Sequence, residues 1–203
     1  MRATLLLIIA VNMSLLSACA EDELPQCPSD DMQEINAPAL NLSFKIDRYE
    51  ASRSNASASG EGSGESRACS VVGVKPWNTV TLSEAKAACE ASGKHLCTKA
   101  EWQAVCHNTA QETFYVYGNT HEEGRCNDAG TASTPTGASA NCKTLRNTFD
   151  MNGNLREWVS EGELLGGAFV SGRLEARCDQ GITPSGGAET YQPGTGDGFR
   201  CCQ

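Results

Sequence analysis

Cysteine constrains this chain more than any other residue. Eleven stand in 203 residues, at 19, 27, 69, 89, 97, 106, 126, 142, 178, 201 and 202. None forms a C-x-x-C pair, and only His95, His107 and His121 could join them as ligands, so the spacing of a zinc site is missing. Scattered cysteines in a chain that meets an oxidising compartment read instead as disulfides. The first residues point to such a compartment. Arg2 precedes an apolar run from Leu5 to Leu16, broken by Asn12 and Ser14, which is long enough for an export signal and too short to cross a bilayer. Sixteen basic against 25 acidic side chains give a formal charge of -9, which argues against nucleic acid as a partner.

Leu16-Ser17-Ala18-Cys19 resembles the bacterial lipoprotein box, in which the cysteine becomes the lipid-modified first residue of the mature chain. An ordinary cleavage after Ala18 or Ala20 is the alternative. The resemblance implies a signal peptide over 1–18 and a lipid anchor at Cys19. Ala20 in place of Asp implies an outer-membrane destination in the cell envelope. Several acyl chains, at about 0.8 kcal/mol per buried methylene, hold firmly. With Cys19 so used, ten cysteines remain, an even set.

Residues 19–39 are acidic and contain Pro25, Pro28 and Pro38, a composition that reads as a tether. Residues 40–203 then form one domain. Leu40 to Ala51 alternates as a strand, with Leu42, Phe44 and Ile46 on one face. Residues 52–67 hold no aromatic or large aliphatic side chain, which predicts a mobile loop. Gly60, Gly62 and Gly64 within it complete no nucleotide-binding fingerprint. Two T-x-x-E capping boxes follow. Thr81 with Glu84 opens a helix with Leu82, Ala85, Ala88 and Cys89 along one stripe, ending at Gly93; Thr98 with Glu101 opens a second carrying Trp102, Val105 and Cys106. Beyond Asn108 the chain is rich in Gly, Asn, Thr and Ser, with short apolar stretches at 114–117, 158–159 and 166–170. That half reads as loop-dominated and β-poor, so cross-links have to supply much of its stability.

Five segments in order carry a family resemblance. They are Phe44 to Glu50 (FKIDRYE), Gly93 to Trp102 (GKHLCTKAEW), Asp150 to Trp158 (DMNGNLREW), Gly166 to Phe169 (GGAF) and Gly198 to Cys201 (GFRC). Together they resemble the formylglycine-generating enzyme, or sulfatase-modifying factor, family, in its cysteine-rich exported branch. The resemblance implies a compact α+β, C-type-lectin-like fold with two short helices on a small twisted sheet. Active members oxidise a cysteine or serine of a sulfatase with O₂ and copper(I) held by two thiolates, soft ligands for a soft ion. Here the two copper positions fall on Ser171 and Ala176, which argues against copper chemistry, and no catalytic residue is assigned. The histidine-liganded iron branch needs a helical domain for which this chain has no room.

The family implies a disulfide between Cys89 and Cys201 and another between Cys106 and Cys178. The remaining six admit many connectivities, of which the reading takes Cys126 with Cys142 as a local closure, Cys97 with Cys202 and Cys27 with Cys69. The Asp150 segment resembles a family calcium loop, with the Asp150 and Glu157 side chains and the Gly153 and Leu155 carbonyls as ligands; the alternative is a plain turn, with Glu157 serving a buried arginine. Asn127 resembles part of a second calcium site. Trp102, Trp158 and Arg200 read as core. Ser171, Arg173, Glu175 and Tyr191 fall where the family forms its peptide cleft, although a solvated loop also accounts for Arg173 and Glu175. The expected function is a surface-anchored, non-catalytic binding or structural module with a peptide, glycan or envelope protein as partner. The rival readings are an enzyme of altered chemistry in the same cleft and a copper-dependent oxidase.

Overall fold

The structure, a computed structural model, describes residues 26–64, 66–108 and 111–203. The signal segment and Cys19 lie outside them. Both capping boxes are present. Thr81 accepts the Glu84 backbone N–H while the Glu84 carboxylate accepts the Thr81 N–H, and α1 runs Leu82–Glu90. Thr98 and Glu101 do the same for α2, Lys99–Cys106. Each box satisfies donors that a helix start leaves without partners. Leu82, Ala85, Ala88 and Cys89 of α1 are buried, and so are Trp102, Val105 and Cys106 of α2.

Short strands surround the helices. β1 (Met32–Ala37), β2 (Leu42–Asp47), β10 (Cys201–Cys202) and β5 (His95–Leu96) make one antiparallel sheet in that order. β3 (Ala51–Ser52) pairs with β4 (Cys69–Ser70). A third sheet runs β8 (Gly181–Ile182), β7 (Leu164–Leu165), β6 (Arg156–Trp158) and β9 (Asp197–Phe199), with β6 and β9 parallel. All four of its strands lie in a half that composition marks as β-poor, because strands of two or three residues are too short to show a period.

The acidic stretch read as a tether joins the fold from Cys27 onward. Cys27 is bonded to Cys69, Asp30 accepts the Ser70 N–H, and β1 lies along β2 from Met32↔Asp47 to Ala37↔Leu42. Ile35 and Ala37 alternate inward there, a period that the proline and carboxylate content of the window hides. The strand expected over 40–51 ends at Asp47, and Ala51 begins a separate pairing. The Ser/Gly loop is held at several points. Asn55 bonds Ser63 in both directions, Glu61 accepts the Asn78 amide at 2.8 Å, and the Arg53 guanidinium lies 4.0 Å over the Trp77 ring.

Five disulfides join Cys27–Cys69, Cys89–Cys201, Cys97–Cys202, Cys106–Cys178 and Cys126–Cys142. Their sequence separations run from 16 to 112 residues. On the chain-entropy view each closure contributes about 3 to 5 kcal/mol, the longest most. Successive strand residues point to opposite faces, so Cys201 and Cys202 enter different cores. Cys201 and Cys89 lie with Trp77, Leu96, Trp158 and Phe199 in one. Cys202 and Cys97 lie with Ile35, Ile46, Trp102 and Met151 in the other. The central strand β10 thus fastens one core to α1 through Cys89 and the other, through Cys97, to the link between the two helices.

Candidate functional site

The segment expected to form the cleft follows β7. Gly166 and Gly167 have φ of 81° and 70°, and side chains there would strike neighbours. A Cβ on Gly166 would lie 2.6 Å from the Met151 carbonyl, and one on Gly167 would lie 2.9 Å from the Ala176 nitrogen. This close approach packs Ala176, fully buried, against the glycine backbone. Ser171 Oγ accepts the Ala168 N–H at 2.8 Å, and α3 (Gly172–Glu175) begins at the next residue. Arg173 and Glu175 are exposed. Val170 and Leu174 beside them are 66% and 64% exposed, an unusual presentation of aliphatic side chains on so short a segment.

Tyr191 stands apart from Ser171 in its bonding. Its hydroxyl donates to Asp197 at 2.9 Å, and its ring meets Trp158 edge-on at 5.6 Å. Asp197 also receives Arg156 Nη2 at 2.6 Å and the Gly194 N–H at 2.8 Å. Arg156, Gly167, Glu175 and Gln180 line a crevice of about 50 Å³, room for water rather than a peptide side chain. Of the four expected cleft residues, only Glu175 lines it.

A histidine–aspartate pair abuts the same segment, and sequence reasoning missed it. His121 Nε2 lies 2.6 Å from Asp128 Oδ2, and the Asp128 carboxylate is nearly buried. The Asp128 carbonyl accepts the Gly172 N–H at 2.7 Å, and the Tyr115 hydroxyl donates to the Arg173 carbonyl at 2.7 Å. Tyr115 stacks on Tyr117 at 5.3 Å and meets His121 at 5.5 Å. Burial raises the Tyr115 and Tyr117 hydroxyls above their ordinary pKa. No spacing rule links His121 to Asp128 within an irregular loop, so the pair carries no sequence signature.

The Asp150 turn is the most highly charged interior point. Fully buried Glu157 accepts Arg200 Nη2 at Oε1 (2.6 Å), and Arg200 Nε (2.6 Å) and Trp102 Nε1 (2.7 Å) at Oε2. Asp150, with φ of 58°, accepts the Gly137 N–H at 2.6 Å. Glu50, unassigned in the sequence reading, accepts the Asn154 amide at 2.5 Å and the Leu155 N–H at 2.9 Å. Burial pushes the Asp150 carboxyl up to about 7. Burial first, then the charges of Asp150 and Glu157, hold Glu50 well above the usual carboxylate range. Three buried carboxyl groups exceed the charge of one guanidinium, so ionising all of them requires a further hard cation, and otherwise protons stay on. Glu157 does not fit the ligand role, because Arg200 and Trp102 occupy both its oxygens. Among the described residues no group of three or more His, Cys, Asp or Glu side chains is arranged to hold a metal ion. Asn127, the other expected calcium residue, donates its amide to Asn154 Oδ1 at 3.0 Å and to the Ala132 carbonyl.

The profile of the sulfatase-modifying factor enzyme 1-like domain matches residues 43–164. The chain belongs to the sulfatase-modifying factor family. Solved structures share the family fold at low identity. PvdO from Pseudomonas aeruginosa is 16% identical with a TM-score of 0.55, covering 79% of this chain and 80% of its own. Treponema denticola variable protein 1 is 12% identical at 0.57, covering 87% and 92%. CarF is 15% identical at 0.52, covering 89% and 94%. A search of curated proteins finds no match. The α+β, C-type-lectin-like fold of the sulfatase-modifying factor family is therefore the fold of this chain. Its family motifs mostly supply the interior: Trp102 and Trp158 are fully buried, Trp158 donating to the Val80 carbonyl at 2.8 Å, and Arg200 is enclosed at the Glu157 carboxylate.

Proposed function

We propose that this sulfatase-modifying factor domain is a lipid-anchored binding or structural module of the bacterial cell envelope that does not perform copper chemistry. The observation that carries the reading is the state of sulfur. Every cysteine among the described residues is in a disulfide, and the copper positions hold Ser171, with its hydroxyl on the Ala168 N–H, and buried Ala176. A soft ion that needs two thiolates is offered none among the described residues. The exposed Val170, Leu174 and Arg173 suit a peptide, glycan or envelope protein as partner. Cys19 provides the anchor, in the outer membrane.

The test is thiol titration of the denatured mature protein, followed by incubation of the folded protein with copper(I) and a sulfatase-motif peptide. No free thiol and no aldehyde mass shift are expected. Two or more thiols with conversion of the peptide restore the oxidase. Cys19→Ser is expected to release the protein from the membrane fraction, and its retention there removes the anchor. A second reading, an enzyme of altered chemistry, is favoured by the His121–Asp128 pair beside α3. Turnover lost in His121→Gln would establish it. The proposal also includes calcium at the Asp150 turn, held by Asp150 and the Gly153 and Leu155 carbonyls, with Glu157 joining only if it releases Arg200.

A further inference from the structure

On the other side of the helical pair, one face of α2 is only partly covered by its surroundings, with Ala100 exposed and Ala104 buried. Ala100, Gln103, Ala104 and His107 recur at the spacing of a single helix face, and they line a trough of about 740 Å³. Leu40 and Leu42 form one wall and Phe114 the other. Leu40 is 48% exposed and Phe114 37%. The walls are held in place: the His107 Nδ1–H donates to the Thr113 carbonyl at 2.7 Å, Gln103 donates to the Cys178 carbonyl at 3.2 Å, and the Arg177 guanidinium covers the Phe114 ring at 3.7 Å. A trough of this size with small side chains on its floor suits an elongated ligand with projecting side chains.

The rim decides the ligand's charge. Glu112 and Asp179 are its ionisable groups besides His107. Glu112 is exposed and has no hydrogen-bond or ion partner among the described residues. Its backbone takes φ of 49°, a conformation that costs a non-glycine residue energy and that places a carboxylate at the rim. Asp179 pairs with Arg177 at 2.8 Å, so that cation is already satisfied and leaves Glu112 uncompensated. We propose that the α2 trough docks a peptide segment bearing aliphatic and basic side chains, the aliphatic groups on exposed Ala100 between Leu40 and Phe114, and a lysine or arginine at Glu112. The site is distinct from the Ser171 segment and independent of the copper question.

Fluorescence anisotropy of a labelled Leu-Lys alternating hexapeptide with the purified protein tests this. Saturable binding is expected, weakened at higher salt. A Leu-Glu hexapeptide and a Ser-Lys hexapeptide are expected to bind at least about tenfold less tightly. Glu112→Lys, at an exposed position, should lower affinity about fivefold with unchanged melting temperature. Leu40→Ser, also exposed, should lower it with the salt dependence kept. Equal binding of the Leu-Glu peptide, no effect of Glu112→Lys, or no binding at all overturns the proposal. Displacement by a fatty acid, or concentration-dependent self-association abolished by Leu40→Ser, also overturns it, in favour of an acyl chain or a second copy.

Discussion

Two interior ion clusters handle the same difficulty differently. At one, Lys94 sits between Asp30 at 2.6 Å and Asp47 at 2.7 Å. Asp47 is fully buried while Asp30 is 37% exposed, so water shares the burden of the second carboxylate. At the other, Arg200 bonds Glu157 while Glu50 and Asp150 act on it through their charge alone, and none of the four reaches solvent appreciably. The contrast teaches that one cation can stabilise two carboxylates when one of them borders water. When all the groups are enclosed, the surplus must be met by protons, by amide donors such as Asn154, or by a metal ion.

Removing each cation gives the largest expected effect. Arg200→Met leaves Glu157 enclosed without its bidentate partner and should cost about 4 to 5 kcal/mol in denaturant unfolding, whereas Lys94→Met should cost about 3 kcal/mol because Asp30 can turn to solvent. Equal losses would erase the distinction. Calcium separates the clusters next. If the Asp150 turn binds it, calcium at a hundred times its dissociation constant adds about 3 kcal/mol and raises the melting temperature by about 5 to 10 °C. That gain should vanish in Asp150→Ala and persist in Asp47→Asn. A melting curve identical in calcium and chelator discards the metal.

The smallest effect is the pH response of the solvent-bordered cluster. Burial raises Asp47 to about 6 against the pull of Lys94, and Asp30 adds to the rise. A carboxyl raised on folding contributes its stability fully below its unfolded value of 3.8 and loses it as pH climbs through about 6. Melting followed from pH 4 to 7 should therefore show a decline of at most about 1 kcal/mol per pH unit from this group, flattened in Asp47→Asn. An unchanged slope would show that Lys94 already settles the charge.

Legibility in the sequence followed the range of the physics. The capping boxes at Thr81 and Thr98 act within four residues and name both helices. The GFRC and DMNGNLREW segments reveal the family because their side chains are fixed by tight packing around Arg200 and Trp158. What the sequence hid has more than one cause: Glu50 meets partners 104 and 105 residues away, whereas β1 pairs with the next strand but is masked by its acidic composition, and His121 meets Asp128 seven residues on in an irregular loop with no spacing rule. The expected calcium ligand set rests on one local segment, whereas Glu157 is engaged by Trp102 and Arg200, 55 and 43 residues away.

The strand at the middle of the first sheet is made from residues 201 and 202, yet the cysteines it captures lie 112 and 105 positions earlier. At ordinary ribosomal rates those earlier thiols wait roughly 5 to 20 s for their proper mates to be synthesised. During that interval Cys89 and Cys97 can pair only with strangers. Correct pairing therefore requires either that these thiols stay reduced until residue 202 has been made or that early disulfides can be exchanged.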